Sequence, residues 1–384
     1  MKAITNNDRP SLKELLKQKP QGKIDKVLLI FSIIITLFGI LMVYSASSYT
    51  AYVRYEDSFF YLKKQVLGAV LGLGAMMGLT YCNYKILDKL KLPILIISII
   101  LLIVVFIPGV GLENYGANRW IDLPGFTIQP SEIAKFAFII FAAGYMAKNQ
   151  DKMSTFMGVL PVLAVGGFIA LLIILEPNMS ITVCVILLML FMLFLGGTRI
   201  KHFVILALPV AALVPILILI EPYRMNRLAA FLNPWASPLE EGFQLIQSYY
   251  SLGSGGLFGV GLFKSRQKYL FLPFSESDFI FSIIGEELGL AGSLLTIAVF
   301  CIIIYRCVRV ALNAPDRLGC YMAAGVGAII AIQVAVNIAV VTGSIPPTGL
   351  PLPFVSAGSS SLVVFMGGIG IVQNISRHSN ILLS

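Results

Sequence analysis

Residues 27–48 read Val27-Leu-Leu-Ile-Phe-Ser-Ile-Ile-Ile-Thr-Leu-Phe-Gly-Ile-Leu-Met-Val-Tyr-Ser-Ala-Ser-Ser48. No carboxylate, lysine or arginine interrupts them. At 1.5 Å rise per residue, about 20 such residues cross a hydrocarbon core of about 30 Å as one helix. The pattern returns near 64–82, 92–108, 133–148, 156–175, 179–196, 203–220, 279–304, 319–341 and 353–375. The fourth and sixth runs are short and call for tilt or cover from neighbours. Only 12% of the 384 residues are charged, against about 25% in an ordinary soluble domain. Lipid is therefore the solvent for most of the surface. No alternating strand pattern suggests a barrel. The sequence predicts an all-α polytopic membrane protein of about ten transmembrane helices. A basic tail, 1–26, precedes a single transmembrane domain, 27–384.

Charge sets the orientation, because Lys and Arg concentrate on the cytoplasmic side. The tail carries Lys2, Arg9, Lys13, Lys17, Lys19, Lys23 and Lys26. If it lies inside, so do the connections bearing Lys85, Lys89 and Lys91, Lys148 and Lys152, Arg199 and Lys201, and Arg306, Arg309 and Arg317. Arg377 follows the last run. Both termini are thus expected in the cytoplasm of a multi-pass cell-membrane protein. The net charge of +9 points to anionic lipid headgroups and not to nucleic acid. The first run is too long, and too poor in a cleavage site, for a removed signal peptide. Residues 11–19 suit either an amphipathic surface helix or a disordered tail. All five cysteines fall in spans or at their inner ends, so no disulfide is expected, and no CxxC or CxxH spacing suggests a metal site.

One connection is long: 221–278, between the seventh and eighth runs, on the outer side. Such a loop is usually functional or locally structured. It holds Arg224, Arg227, a Gly-rich stretch from Leu252 to Gly261, then Lys264, Arg266, Lys268 and Asp278. A carboxylate at a helix start is ordinary capping chemistry. Beside basic residues suited to a diphosphate, Asp278 is also a candidate general base for a sugar hydroxyl. Each loop cation taken alone reads as solvated charge. The glycines do not make a nucleotide loop, because the third falls at 256 or 259 and no strand precedes them. Turn formation and tight backbone packing account for them.

A second constellation opens the fourth run. Arg119 and Trp120 precede Gln129-Pro-Ser-Glu-Ile-Ala-Lys135. Glu132 and Lys135, three apart, share one helix face inside the membrane, as a structural ion pair or as part of a substrate cavity. Arg119 and Trp120 suit the outer interface, for substrate or for anchoring. Glu176, Glu286, Glu287, Gln333 and Asn337 read as capping, pairing or interhelical groups. Gly68/Gly72 and Gly74/Gly78 repeat a small-xxx-small packing spacing. A Pro-rich segment leads to Ser356-Ala-Gly-Ser-Ser-Ser361, expected to line the outer cavity with Ser356 foremost.

Together these blocks resemble the shape, elongation, division and sporulation (SEDS) family, the family of RodA, FtsW and SpoVE. The resemblance runs from about residue 30 to the C-terminus. It rests on ordered motifs: Tyr44-Ser-Ala-Ser47, Asn118-Arg-Trp-Ile-Asp122, Gln129-Pro-Ser-Glu-Ile-Ala-Lys135, Phe231-Leu-Asn-Pro-Trp235, Gly255-Gly-Leu-Phe-Gly259, Gln267-Lys268, Asp278-Phe-Ile-Phe281, Gly285-Glu-Glu-Leu-Gly289 and Pro351-Leu-Pro-Phe354. It implies a peptidoglycan glycosyltransferase acting on lipid II, the undecaprenyl-diphosphate-linked disaccharide peptide, in cell division, shape or sporulation. It also implies a class B penicillin-binding protein as partner. The family's essential carboxylate matches Asp278, its cavity pair Glu132 and Lys135, and its motif tryptophan Trp120. The division and sporulation branches fit better than the elongation branch. Departures lie at Glu276-Ser277, often His-Thr in the family, at Glu176-Pro-Asn178, and at Ser356–Ser361. Inverting transfer at the outer face is expected, with Asp278 ionised at an ordinary carboxylate pKa near 4. A divalent cation, Mg²⁺ or Mn²⁺, held partly by the substrate diphosphate, would serve the leaving group. A lipid II flippase and a non-catalytic scaffold are the rival readings.

Overall fold

The computed structural model describes residues 22–107, 111–114, 117–123, 126–205 and 222–379. The tail 1–21, with its stretch 11–19, lies outside them. So does most of the seventh apolar run, 206–221, although residues 200–205 are helical. The described helices are α1 (Lys26–Tyr55), α2 (Phe60–Tyr81), α3 (Tyr84–Lys89), α4 (Lys91–Val104), α5 (Pro130–Lys148), α6 (Phe156–Leu175), α7 (Met179–Leu195), α8 (Pro222–Leu232), α9 (Phe243–Gly255), α10 (Ile280–Leu312), α11 (Arg317–Val341) and α12 (Ser359–His378). Six of them, α1, α2, α6, α10, α11 and α12, are long and apolar enough to cross a membrane. The shorter apolar helices are α4 and α7.

The expectation of an all-α chain needs correction. Between α4 and α5 the chain forms a three-stranded antiparallel sheet: β1 (Gly111–Asn114), β2 (Ala117–Leu123) and β3 (Phe126–Ile128). Its strands are too short to show a run of alternation. The Pro124-Gly125 pair between Trp-Ile-Asp-Leu and Phe-Thr-Ile was the available hairpin signal. The last helix also starts at Ser359, not near 353. Pro351 and Pro353 lack a backbone donor, and the chain stays irregular through Gly358.

The core centres on α12, the most enclosed of the six long apolar helices. Its tightest seam is with α2. A Cβ on Gly68 would meet the Ser359 Cα at 2.8 Å, and one on Gly370 the Met76 carbonyl at 2.5 Å. A Cβ on Gly72 would meet Met366 Sδ at 2.6 Å. Gly68 and Gly72 thus serve packing as their spacing implied, whereas Gly74 and Gly78 face open space. At the opposite end of the bundle from Asp278, Asp25 caps α1 and pairs with Arg306 of α10 at 2.7 Å. The Gln373 side chain of α12 bonds both the backbone N–H and the carbonyl of Asp25.

Candidate active site

The segment entering α10 is held by its backbone. Asn337 Nδ2, from α11, donates to the carbonyl of Asp278 at 2.8 Å and to that of Leu350 at 2.6 Å. Ser356 Oγ donates to the Ser277 carbonyl at 2.6 Å and accepts from Leu352 N–H at 2.7 Å. The Ala357 N–H donates to the Glu276 carbonyl at 2.8 Å. Gln65, buried on α2, grips the same loop: its Nε2 donates to Ser356 O at 3.1 Å and its Oε1 accepts from Gly358 N–H at 3.2 Å. Ser356 is itself buried, so it positions Asp278 from behind.

These contacts use main-chain atoms and do not engage the Asp278 carboxylate, which takes a hydrogen bond from the neighbouring Ser277 side chain. The N-cap of α10 is Phe279, and no side chain caps that helix. Gly349, at φ +71, approaches closely, and a Cβ there would stand 3.1 Å from Asp278 Oδ2. Burial pushes the Asp278 carboxyl up to about 6, opposed by Arg227 and Arg119 and reinforced by Glu276. The ordinary value near 4 expected from the sequence is corrected accordingly. Burial also raises the Glu276 carboxyl, against the pull of Arg54. Two cations remote in sequence thus act on one carboxylate. Arg227, on α8, donates to the Pro347 carbonyl at 3.1 Å. Arg119, on β2, donates through Nε to the Glu176 carbonyl at 3.2 Å and through Nη2 to Pro177 O at 2.5 Å. Trp120 follows it in β2, half-buried. The side chain of Arg224 lies outside the described residues.

Glu132 and Lys135 lie elsewhere, fully buried in α5. Lys135 Nζ donates to Glu132 Oε1 at 2.7 Å and to Gln333 Oε1 at 2.8 Å, beneath the Phe365 ring. Ser361 Oγ donates to Glu132 Oε2 at 3.2 Å. The pair joins α5, α11 and α12 under the Pro351–Ser361 segment. Lys268 is not a solvated loop cation either. It is buried and pairs with Glu287 at 3.1 Å.

The Gly-rich stretch has a packing role. Gly289 breaks α10 at φ 68 and ψ −166, and the chain from Gly256 to Gly261 docks at the break. Val260 and Gly261 N–H donate to the carbonyls of Glu286 and Glu287, while Leu290 and Ala291 N–H donate to those of Gly256 and Leu257. A Cβ on Gly259, at φ +80, would fall 2.1 Å from the Glu287 carbonyl, whereas one on Gly253 meets nothing. Gly259→Ala is expected to cost about 3 kcal/mol or more, from overpacking and left-handed strain together. Gly253→Ala should be neutral. Thermal unfolding of both variants in detergent checks the contrast, and equal effects would refute it.

Most of the chain matches one family model. Residues 25–381 fit the cell cycle protein family of FtsW, RodA and SpoVE. The chain belongs to this family. It is 42% identical over 359 residues to stage V sporulation protein E of Bacillus subtilis, covering 92% of this chain and 97% of that one. It is 40% identical over 354 residues to a probable peptidoglycan glycosyltransferase FtsW of a Geobacter species, strain M18, covering 92% and 96%. A chain from a solved peptidoglycan synthase complex, which coordinates polymerization and crosslinking, superposes with a TM-score of 0.74 at 26% identity, covering 92% and 98%. The crystal structure of Thermus thermophilus RodA has the same fold, with a TM-score of 0.69 at 24% identity over 93% and 98%.

Within this FtsW/RodA/SpoVE fold the described residues contain no group of three or more His, Cys, Asp or Glu that could hold a metal ion. Asp278 and Glu276 do not build a protein cation cage. Sequence reasoning missed Gln65, whose only signal is being a lone amide in an apolar run, and it missed the isolation of Glu176. That residue is buried in the α6–α7 turn, and neither carboxylate oxygen has a hydrogen-bond partner among the described residues. Burial pushes its carboxyl up to about 8, against the pull of Arg119. The folded protein therefore keeps a proton there that the unfolded chain gives up near pH 4.5. Stability from this group is complete below that pH and is lost as pH rises through about 8. Glu176→Gln should remove a pH dependence on the order of 4 kcal/mol. Melting temperatures from pH 5 to 9 check this, and parallel curves for wild type and variant would contradict it.

Proposed function

We propose that this chain is a peptidoglycan glycosyltransferase that polymerises lipid II into glycan strands, with Asp278 as general base. The single observation that carries the reading is the Asp278 carboxylate. It has no capping duty, its backbone is fixed from α2, α11 and the 350–358 loop, and it lies in the field of Arg227 and Arg119. In this reading Asp278 takes the proton from the 4-hydroxyl of the acceptor's N-acetylglucosamine. The freed oxygen attacks the anomeric carbon of the donor's N-acetylmuramic acid. The lipid diphosphate leaves with inversion, through an oxocarbenium-like transition state. A carboxylate of pKa about 6 is still mostly ionised at neutral pH and is a stronger base than one near 4. Arg227 and Arg119 supply positive charge where the diphosphate develops its own. In this reading Mg²⁺ or Mn²⁺ would be held partly by that diphosphate. The same reading takes ten spans, both termini in the cytoplasm, the Asp278 end facing outward, and a class B penicillin-binding protein as partner. The relatives' names favour a sporulation or division role.

The test is polymerisation of lipid II by purified protein with that partner and no other glycosyltransferase. The rate should fall about tenfold per pH unit below about pH 6. Arg227→Met should move this acid limb to higher pH, because Arg227 holds the Asp278 carboxyl down. An acid limb near pH 4, or one indifferent to Arg227, would count against the assignment. Transbilayer movement of lipid II without polymer would favour a flippase.

A further inference from the structure

A cavity of about 740 Å³ opens between α9 and the 260–267 loop. It shares no lining residue with the surroundings of Asp278. Lys264 and Arg266 line it, both exposed, and neither has a carboxylate partner among the described residues. Their backbone is nonetheless fixed. Ser265 N–H donates to Glu287 Oε1 at 3.2 Å, and Arg266 N–H to Glu286 Oε1 at 2.8 Å. Phe263 N–H donates to Glu287 Oε2 at 3.0 Å. Two buried carboxylates thus spend their acceptor capacity on main-chain N–H groups, Ser265, Lys268 and neighbouring hydroxyls. The two cations flanking Ser265 are left to project from a rigid loop.

Three further features describe what would fit there. The side-chain oxygen of Gln267, which also lines the cavity, is buried without a hydrogen-bond partner and suits a hydroxyl or N–H donor. The Tyr249 and Tyr250 side chains form another wall, and Trp235 stands edge-on to Tyr250 with ring centroids 6.0 Å apart. Such rings concentrate at headgroup depth in membranes. The rim is apolar. Leu257 is 64% and Phe258 82% exposed, and their loop is bonded to α10 at Leu290 and Ala291. From there Leu290, Leu294 and Leu295 continue along α10 as exposed side chains of an apolar spanning helix. A charged mouth, a hydroxyl-seeking amide and an apolar track leading away from it match one class of molecule, an anionic amphiphile.

We propose that this cavity binds the phosphate-bearing, hydroxylated headgroup of a membrane lipid, with Lys264 and Arg266 on the phosphate and the lipid tail along Leu257, Leu290 and Leu294. A resident phospholipid and a polyprenyl diphosphate share this chemistry. Binding does not depend on the catalytic reading of Asp278.

The chain has two tryptophans, so Trp120→Phe leaves Trp235 beside the cavity as the sole indole reporter. Purified full-length protein in neutral detergent is titrated with dioctanoyl phosphatidylglycerol, and with dioctanoyl phosphatidylcholine in parallel. The expected result is a saturable change in Trp235 emission with the phosphatidylglycerol, at least tenfold weaker with the phosphatidylcholine. Lys264→Ala/Arg266→Ala should weaken it at least tenfold. The melting temperature should stay unchanged, since both side chains are exposed and have no carboxylate partner among the described residues. Competition by farnesyl diphosphate would assign the site to the diphosphate class, and its failure would assign it to phospholipid. Either outcome supports a lipid phosphate site. Equal binding of the two phospholipids, no saturable response, or a double variant that binds like wild type would overturn the proposal. So would inorganic phosphate alone matching the phosphatidylglycerol, because the apolar track would then be idle.

Discussion

Asp278→Asn should lower lipid II polymerisation by roughly 10²–10⁴-fold, the usual worth of a positioned general base. The substitution is informative because of how the residue is held. Asn337 bonds its carbonyl, and Ser356 and Ala357 bond the carbonyls of Ser277 and Glu276, so none of these contacts needs the carboxylate. An amide of the same shape should leave the loop where it is. Melting temperature, lipid II binding and partner binding should therefore match wild type, and only turnover should fall. A variant polymerising within tenfold of wild type would remove Asp278 from the chemistry. The scaffold reading would then have to explain why so many contacts converge on that segment.

The second large effect concerns stability. Lys135→Met should cost about 3–5 kcal/mol, the usual penalty for stranding one member of a buried ion pair. Glu132 would keep only the Ser361 hydroxyl at 3.2 Å as a donor, and Gln333 would lose its 2.8 Å contact. Removing both charges, as Glu132→Gln/Lys135→Met, should restore much of the loss, because the desolvation cost of the pair disappears with its attraction. A double-mutant cycle by denaturant or thermal unfolding measures the coupling. Additive single effects would mean that the two groups do not depend on each other. Polymerisation by the double variant separates a joint from a substrate contact: activity should follow the recovered stability if the pair only joins helices.

Much was legible because ionisable residues are scarce in an apolar chain. Asp278 stood out by charge contrast, and Glu132 and Lys135 by their spacing on one helix face. What escaped reading was distance. Gln65 meets Ser356 and Gly358 from more than 290 residues away, and nothing local to either segment announces the meeting. Lys268 looked like its neighbours Lys264 and Arg266, yet it alone turns inward to Glu287. The difference is set by which loop positions face the break at Gly289. The sheet between α4 and α5 was hidden by its own brevity, and the start of α12 by prolines that are apolar without being helical. The glycines near 255–259 were read correctly as packing residues, but their partner was invisible because it is backbone, not side chain.

The burial of α12 bears on how the molecule is assembled. This helix leaves the ribosome after every other described helix, yet it occupies the middle, against α1, α2, α5 and α11. Until it arrives, Glu132 lacks Ser361 and Asp25 lacks Gln373. The nascent bundle must therefore wait in the bilayer with an open seam and several unsatisfied polar groups. It has to be kept apart from other half-made proteins during that interval. Translation and closure of the core thus end in the same event, and a chain cut short before Ser359 would be a target for membrane quality control.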